Sequence, residues 1–145
     1  MSETQLEEPE LDYAYLAEYA RTERGAITAV GASYTRVLTD LLPMSFTVYV
    51  AGRFRAPAKG QPFEVDITFG RADDDETIRL GNTFNPATAP DSYRDRVGLT
   101  FAVGIPAEVE NEGLHKVEIF ANNRSVRKLF FDVDLDRQGA ASGDR

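Results

Sequence analysis

The alternation in "FEVDITF", residues 63–69, constrains the fold more than any other feature of the chain. Phe63, Val65, Ile67 and Phe69 are apolar, and Glu64, Asp66 and Thr68 between them are polar. Successive side chains of an extended chain point to opposite faces, so a period of two specifies a strand with one face buried. The same period runs through "VGLTFAVGI", where Val97, Leu99, Phe101, Val103 and Ile105 are opposed only by glycine, threonine and alanine. "SFTVYVAGRF" is rich in the β-branched and aromatic residues that strands favour. "HKVEIFANNRSVRKLFFDV" predicts a hairpin, with Asn122-Asn123 supplying two positive-φ positions between Val117–Ala121 and Arg124–Val133. Pro43, Pro57, Pro62, Pro86, Pro90 and Pro106 are expected between these runs, where a missing N–H does least damage to a ladder.

About seven or eight short strands, with no long helical pattern, predict an all-β fold: an antiparallel β-sandwich with one long loop. No Cys–Trp–Cys pattern is present, so a true immunoglobulin domain is not expected. A chain of 145 residues fits one domain. Its folded part is expected at 11–136, flanked by an acidic tail at 1–10 and a small, polar tail at 137–145.

"LDYAYLAEYA", residues 11–20, fits both a strand and a helix, since Tyr13, Leu16, Ala17 and Ala20 also share a helical face. In a sandwich the strand is expected. It would pair with "AITAVGASY" across a turn at about Thr22–Gly25 and bury Tyr13, Tyr15 and Tyr19 along one side.

Composition removes several function classes. The chain has no cysteine, which excludes a disulfide framework, a thiolate metal site and a cysteine nucleophile. The first ten residues carry four glutamates and no apolar run, so they do not read as a signal peptide. No apolar run approaches the ~20 residues that cross a bilayer, so a cytoplasmic protein without a membrane partner is expected. The net charge of −8 repels phosphate backbones, so nucleic acid is not an expected partner.

The N-terminal residues carry a resemblance. "DYAYLAEYA", a glycine-containing turn and "AITAVGASYTRV" together resemble an uncharacterised bacterial family of small β-sandwich proteins. The matching positions are Glu18-Tyr19-Ala20, echoed by Asp12-Tyr13-Ala14, then Gly25 and Val30-Gly31-Ala32. "EGLHKVEIFANNRSVRKLFFDV" is similar to the closing hairpin of many immunoglobulin-like sandwiches. The resemblance implies such a sandwich and a family without an established activity, so it carries no catalytic residue onto this chain.

The remaining candidates are single features. His115 is the only histidine, and it is expected at a surface or strand edge rather than in a catalytic set. Asp73-Asp74-Asp75-Glu76 could attract a hard cation or form a solvated turn. It is not an EF-hand loop, because Ile78 stands where that loop needs glycine. No metal or cofactor is expected. The pairs Arg53/Arg55 and Arg94/Arg96 and the cluster Arg124/Arg127/Lys128 could form a basic spot or solvated strand faces. A strand Gly52–Arg55, if at a sheet edge, could accept another strand.

The segment 71–96 is expected to hold one short strand, Thr77–Leu80, and then a long loop, Gly81–Arg96. In that loop Phe84, Asn85, Tyr93 and Arg94 mix apolar rings with directional hydrogen bonding, as binding sites do. Phe84 and Tyr93 could equally fold back as a lid on the core. The expected function is a non-enzymatic interaction or scaffolding module for another protein or its own copy. The alternative is a sandwich that binds a small ligand or carbohydrate.

Overall fold

The period-two runs become the inner faces of two packed sheets. The computed structural model describes residues 8–73, 76–89 and 92–137. Eleven strands follow in chain order: β1 (Glu10–Ala17), β2 (Tyr19–Glu23), β3 (Ala26–Val30), β4 (Arg36–Thr39), β5 (Met44–Pro57), β6 (Phe63–Arg71), β7 (Glu76–Phe84), β8 (Ser92–Tyr93), β9 (Arg96–Val109), β10 (Gly113–Ala121) and β11 (Arg124–Leu135). The first sheet has the order β1-β5-β9-β8, the second β4-β11-β10-β6-β7, and β2-β3 form a separate ribbon. The fold is a β-sandwich, antiparallel throughout except for β4, which runs parallel to β11.

Val48, Val50, Phe54, Phe101 and Ile105 of the first sheet meet Val65, Ile67, Phe69, Val117, Ile119 and Phe131 of the second. Each such side chain contributes about 1.5–3 kcal/mol when fully buried. The Asn122-Asn123 turn has both residues at positive φ (50° and 67°), as the sequence requires of a tight hairpin.

Several expectations are corrected. Leu11–Ala20 is extended, but Glu18 divides it: β1 pairs with β5, and only β2 pairs with β3. The tyrosines are not sealed in the core. Leu16 and Ala14 take the inner face, so Tyr13 and Tyr15 stack on the outer face with ring centres 6.3 Å apart. Their phenol hydroxyls gain by staying near water. Residues 26–38 are two strands rather than one, broken where Gly31 and Ser33 adopt positive φ. Gly81–Phe84 belongs to β7, so the long loop shrinks to 85–95 and itself contains a short 3-10 turn and β8. Arg53 and Arg55 lie on β5, a central strand, so that segment cannot accept another strand. Pro106 lies inside β9 rather than between strands. Folded structure also extends past 11–136 at both ends: Glu8 binds Arg124 at 3.0 Å and Arg137 binds Glu112 at 2.6 Å. The rest of the expected tails, 1–7 and 138–145, lies outside the described residues.

The β2-β3 ribbon forms a third layer on the outer face of the first sheet. It is held by a small apolar cluster of Ala17, Ala20 and Ala51, flanked by Tyr15, Ile27, Tyr49 and Ala102. Alanines at the centre let two backbones approach closely, and they explain why Ala51 is buried on a face that normally meets solvent. Ala51→Leu should therefore overpack the ribbon contact and destabilise the protein by about 1–3 kcal/mol, read from the urea unfolding midpoint.

Candidate interaction site

The outer faces of both sheets carry ion pairs. On the second sheet these link neighbouring strands. Arg79 donates to Asp66 at 2.8 Å and to Glu76 at 3.1 Å, and its guanidinium lies 4.9 Å over the Phe120 ring. Glu118 accepts from Ser125 at 2.6 Å and faces Lys116 at 3.4 Å. These contacts hold the Glu118 carboxyl below its ordinary range, despite a desolvation penalty that acts the other way.

On the first sheet, the tip of the ribbon and β8 enclose a groove of about 310 Å³. Tyr13, Arg24, Arg53, Tyr93, Arg96 and Thr100 line it, and every charged residue in its lining is an arginine. Arg53 approaches Asp12 only to 3.8 Å, and Arg96 approaches Glu10 only to 3.7 Å. Exposed pairs at such distances contribute at most about 1 kcal/mol. Arg24 has no ion pair or side-chain hydrogen bond among the described residues. The groove is thus a cationic patch on a chain of net charge −8.

Backbone geometry concentrates on the same place. The ribbon turns at Arg24-Gly25 (φ 54° and 79°), and the β8–β9 hairpin turns at Arg94-Asp95 (φ 52° and 64°). Such positions favour glycine, asparagine and aspartate, and an arginine there costs on the order of 1 kcal/mol. Both hairpins place an arginine at the first of these positions, beside one groove. Arg94 donates through Nε to the Tyr93 hydroxyl at 3.2 Å and lies 5.4 Å from the ring centre, against a tyrosine that is 70% exposed. Gly98 completes the floor: a Cβ there would fall within 2.9 Å of the Arg53 Cζ, so glycine lets that guanidinium lie flat on β9. Thr100 donates its hydroxyl to the Gly25 carbonyl at 3.1 Å, tying the ribbon tip to β9.

The structure separates the four loop residues that the sequence singles out. Phe84 packs into the end of the core, its ring centre 5.7 Å from Phe54 and from Phe63. Asn85 caps the 3-10 turn, its Oδ1 accepting from the Ala87 amide at 3.0 Å. Tyr93 lines the groove, and Arg94 stays exposed against its ring. The lid expectation is therefore met by Phe84 and not by Tyr93. Tyr13, one of the tyrosines of 13–19 that the sequence offers to the alternative ligand site, lines this groove, whereas sequence reasoning missed Arg24. The residue before the turn glycine in "RTERG" is the one signal that could have pointed to Arg24.

His115 is not a surface histidine. It is 3% exposed, stacked between Phe69 and Phe131 with ring centres 5.8 and 5.7 Å away. Its Nδ1 donates to the Gly113 carbonyl at 2.9 Å. Burial pushes its pKa below the ordinary imidazole range, the Gly113 carbonyl and Asp132 oppose this, and Arg71 adds to it. The ring borders a cavity of about 320 Å³ at one end of the sandwich, with Arg71, Glu108 and Glu110, and no tyrosine lines that cavity. Of the acidic run, Asp73 faces Arg71 at 3.8 Å and Glu76 faces Arg79, while Asp74 and Asp75 lie outside the described residues. Among the described residues no three acidic or histidine side chains are placed to hold a metal ion, and no helix is long and apolar enough to cross a membrane.

A histidine whose folded pKa is depressed contributes stability that is complete above its unfolded value, about 6.5, and is lost as pH falls toward the folded pKa. Stability should therefore decline as the pH falls below about 6.5. His115→Phe should flatten that part of the urea-midpoint profile; an unchanged slope would assign it to other groups. His115→Ala should cost about 2–4 kcal/mol through the cavity left in the stack.

Comparison with known proteins adds a family and a structural likeness. No curated protein matches the chain. An immunoglobulin-like protein (PA1606) from Pseudomonas aeruginosa is similar in structure at 13% identity and a TM-score of 0.42, covering 89% of this chain and 98% of its own. A family model matches residues 12–134, and the chain belongs to that family of unknown function, DUF6941.

Proposed function

We propose that the chain is a non-enzymatic interaction module of the bacterial cytoplasm that recognises another protein through the outer face of its first sheet. One observation carries this reading. The groove on the first sheet brings Arg24, which has no ion pair among the described residues, together with Arg53 and the exposed ring of Tyr93. Arginine and tyrosine are the residue types that interfaces concentrate at their centres. The enclosure of the single histidine between two phenylalanine rings, with its Nδ1 committed to a backbone carbonyl, also supports a non-enzymatic role.

A second reading, a small-ligand or carbohydrate site, is favoured by the exposed Tyr93 ring at the rim of a groove near the lower size limit of ligand pockets. Chemical cross-linking followed by mass spectrometry separates the two. Under the protein-interaction reading, wild type acquires partner cross-links around Tyr93 and Ser92 that an Arg24→Glu/Tyr93→Ala variant loses by about tenfold or more, with the melting temperature of the variant unchanged. Identical cross-links in both proteins would remove the groove from the interface. A stabilising shift with a neutral sugar, lost in the same variant, would favour the second reading.

A further inference from the structure

On the side of the sandwich formed by β1 and β4, the two sheets end at different heights. In the first sheet β1 stops at Ala17, opposite Tyr49, while β5 begins at Met44. The Ser33 amide donates to the Leu16 carbonyl, so Leu16 and its partner Val50 turn their backbone groups away from one another. Alternation then turns Ser45, Thr47 and Tyr49 toward the β1 side. Pro106 agrees, since it has no N–H to donate and lies opposite Thr47. Tyr49 is paired with Ala17, whereas Ser45 and Thr47 meet no described strand on this side. In the second sheet Asp132 and Asp136 donate their amides to the Thr35 and Thr39 carbonyls. The intervening Arg36 and Leu38 therefore present their backbone groups to the edge of β4 that faces away from β11.

A groove of about 290 Å³ lies between these two edges. Glu18, the residue after β1, lines it together with Thr47, so the groove occupies the line that β1 leaves at Ala17. Val37, Leu38 and Phe46 supply its apolar wall. The most exposed aliphatic side chains gather around it: Leu38 at 53%, Val30 at 56% and Leu41 at 69%. Leu38 lines the groove, Val30 accepts from the Glu18 amide, and Leu41 lies in the loop that joins β4 to β5. Apolar residues scattered singly over a surface need no explanation, whereas a group of them at a cleft marks a contact surface.

Charge selects what fits. Arg36 is committed to Asp134 at 2.8 Å. Glu18 has no ion pair or side-chain hydrogen bond among the described residues. Its carboxyl folds over Gly31, which has a φ of 61° and where a Cβ would collide with the Glu18 Cδ. Glycine at that turn thus lets the carboxylate lie against the groove. Burial and the nearby Glu18 raise the Tyr34 phenol to about 12, so at neutral pH its hydroxyl keeps the proton it can donate. The uncommitted charge of the groove is negative, as is that of the chain as a whole.

We propose that this edge accepts an extended, basic segment of another protein, which pairs with Ser45 and Thr47, lays an aliphatic side chain over Val37, Leu38 and Phe46, and sets a lysine against Glu18. The surface is separate from the arginine groove and goes beyond the reading given for it.

The test is backbone NMR of the full chain titrated with a synthetic, end-blocked hexapeptide of alternating valine and threonine that carries one lysine. The amides of Ser45 and Thr47 should shift and exchange with deuterium about tenfold more slowly, while Phe46 and Val48, whose groups lie in the β9 ladder, should not change. The same peptide N-methylated at alternate residues should do neither. Glu18→Gln, a change at an exposed side chain, should weaken the lysine peptide by about tenfold and leave the affinity of a peptide with glutamine in place of lysine unchanged. Absence of protection at Ser45 and Thr47 overturns the added strand, and equal binding of the lysine peptide by Glu18→Gln overturns the basic partner. Protection without peptide overturns the proposal as well: if it grows with protein concentration and a dimer mass, the edge belongs to a second copy, and if it is independent of concentration, the chain covers its own edge. Arg24 and Tyr93 take no part in this site, so its failure and that of the arginine groove are read separately.

Discussion

The ladder between β5 and β9 is the constraint on which the rest of the molecule depends. Fourteen residue pairs run from Met44↔Val109 to Pro57↔Arg96 without a shift. A slip of one residue would turn one strand over relative to the other, sending either Phe54 of β5 or Phe101 and Ile105 of β9 to solvent. The unbroken register fixes two things together: the inner row that meets the second sheet, and the outer row on which the ribbon and Arg53 lie.

The outer face shows how small residues position large ones. Ala51 and Ala102 let the ribbon settle on the sheet, which carries its tip at Arg24-Gly25 to Thr100. Gly98 lowers the Arg53 guanidinium onto β9, and the Arg94-Asp95 turn holds Tyr93 outward beside it. The arginines of the groove are thus gathered by backbone proximity, with Asp12 beside Arg53 at 3.8 Å and Glu10 beside Arg96 at 3.7 Å. On the second sheet, too, ion pairs bridge neighbouring strands, as between Arg79 and Asp66. The recognition proposed for this chain is placed on the face that carries the groove.

The single histidine belongs to stability instead. Its ring extends the aromatic stack of Phe69 and Phe131, and its depressed pKa reports the cost of placing charge there. Phe84 has a similar role at the opposite end, where it closes the core against Phe54, Phe63 and Phe101.

By itself the sequence determined what is local. Alternation over 63–69 and 97–105 specified strands with a buried face, because side-chain direction in an extended chain depends only on parity. Asn122-Asn123 specified a hairpin because two adjacent positive-φ residues suffice to make one. Tertiary structure alone decided which strands became neighbours, and so where Tyr13 and Tyr15 point, whether β5 is central, and that Gly25 meets Thr100, 75 residues away. Pro106 reads in the sequence as a residue between strands, and only the register places it inside β9, opposite Thr47. A residue shows which groups it cannot donate, while the pairing of distant strands settles which edge that leaves exposed.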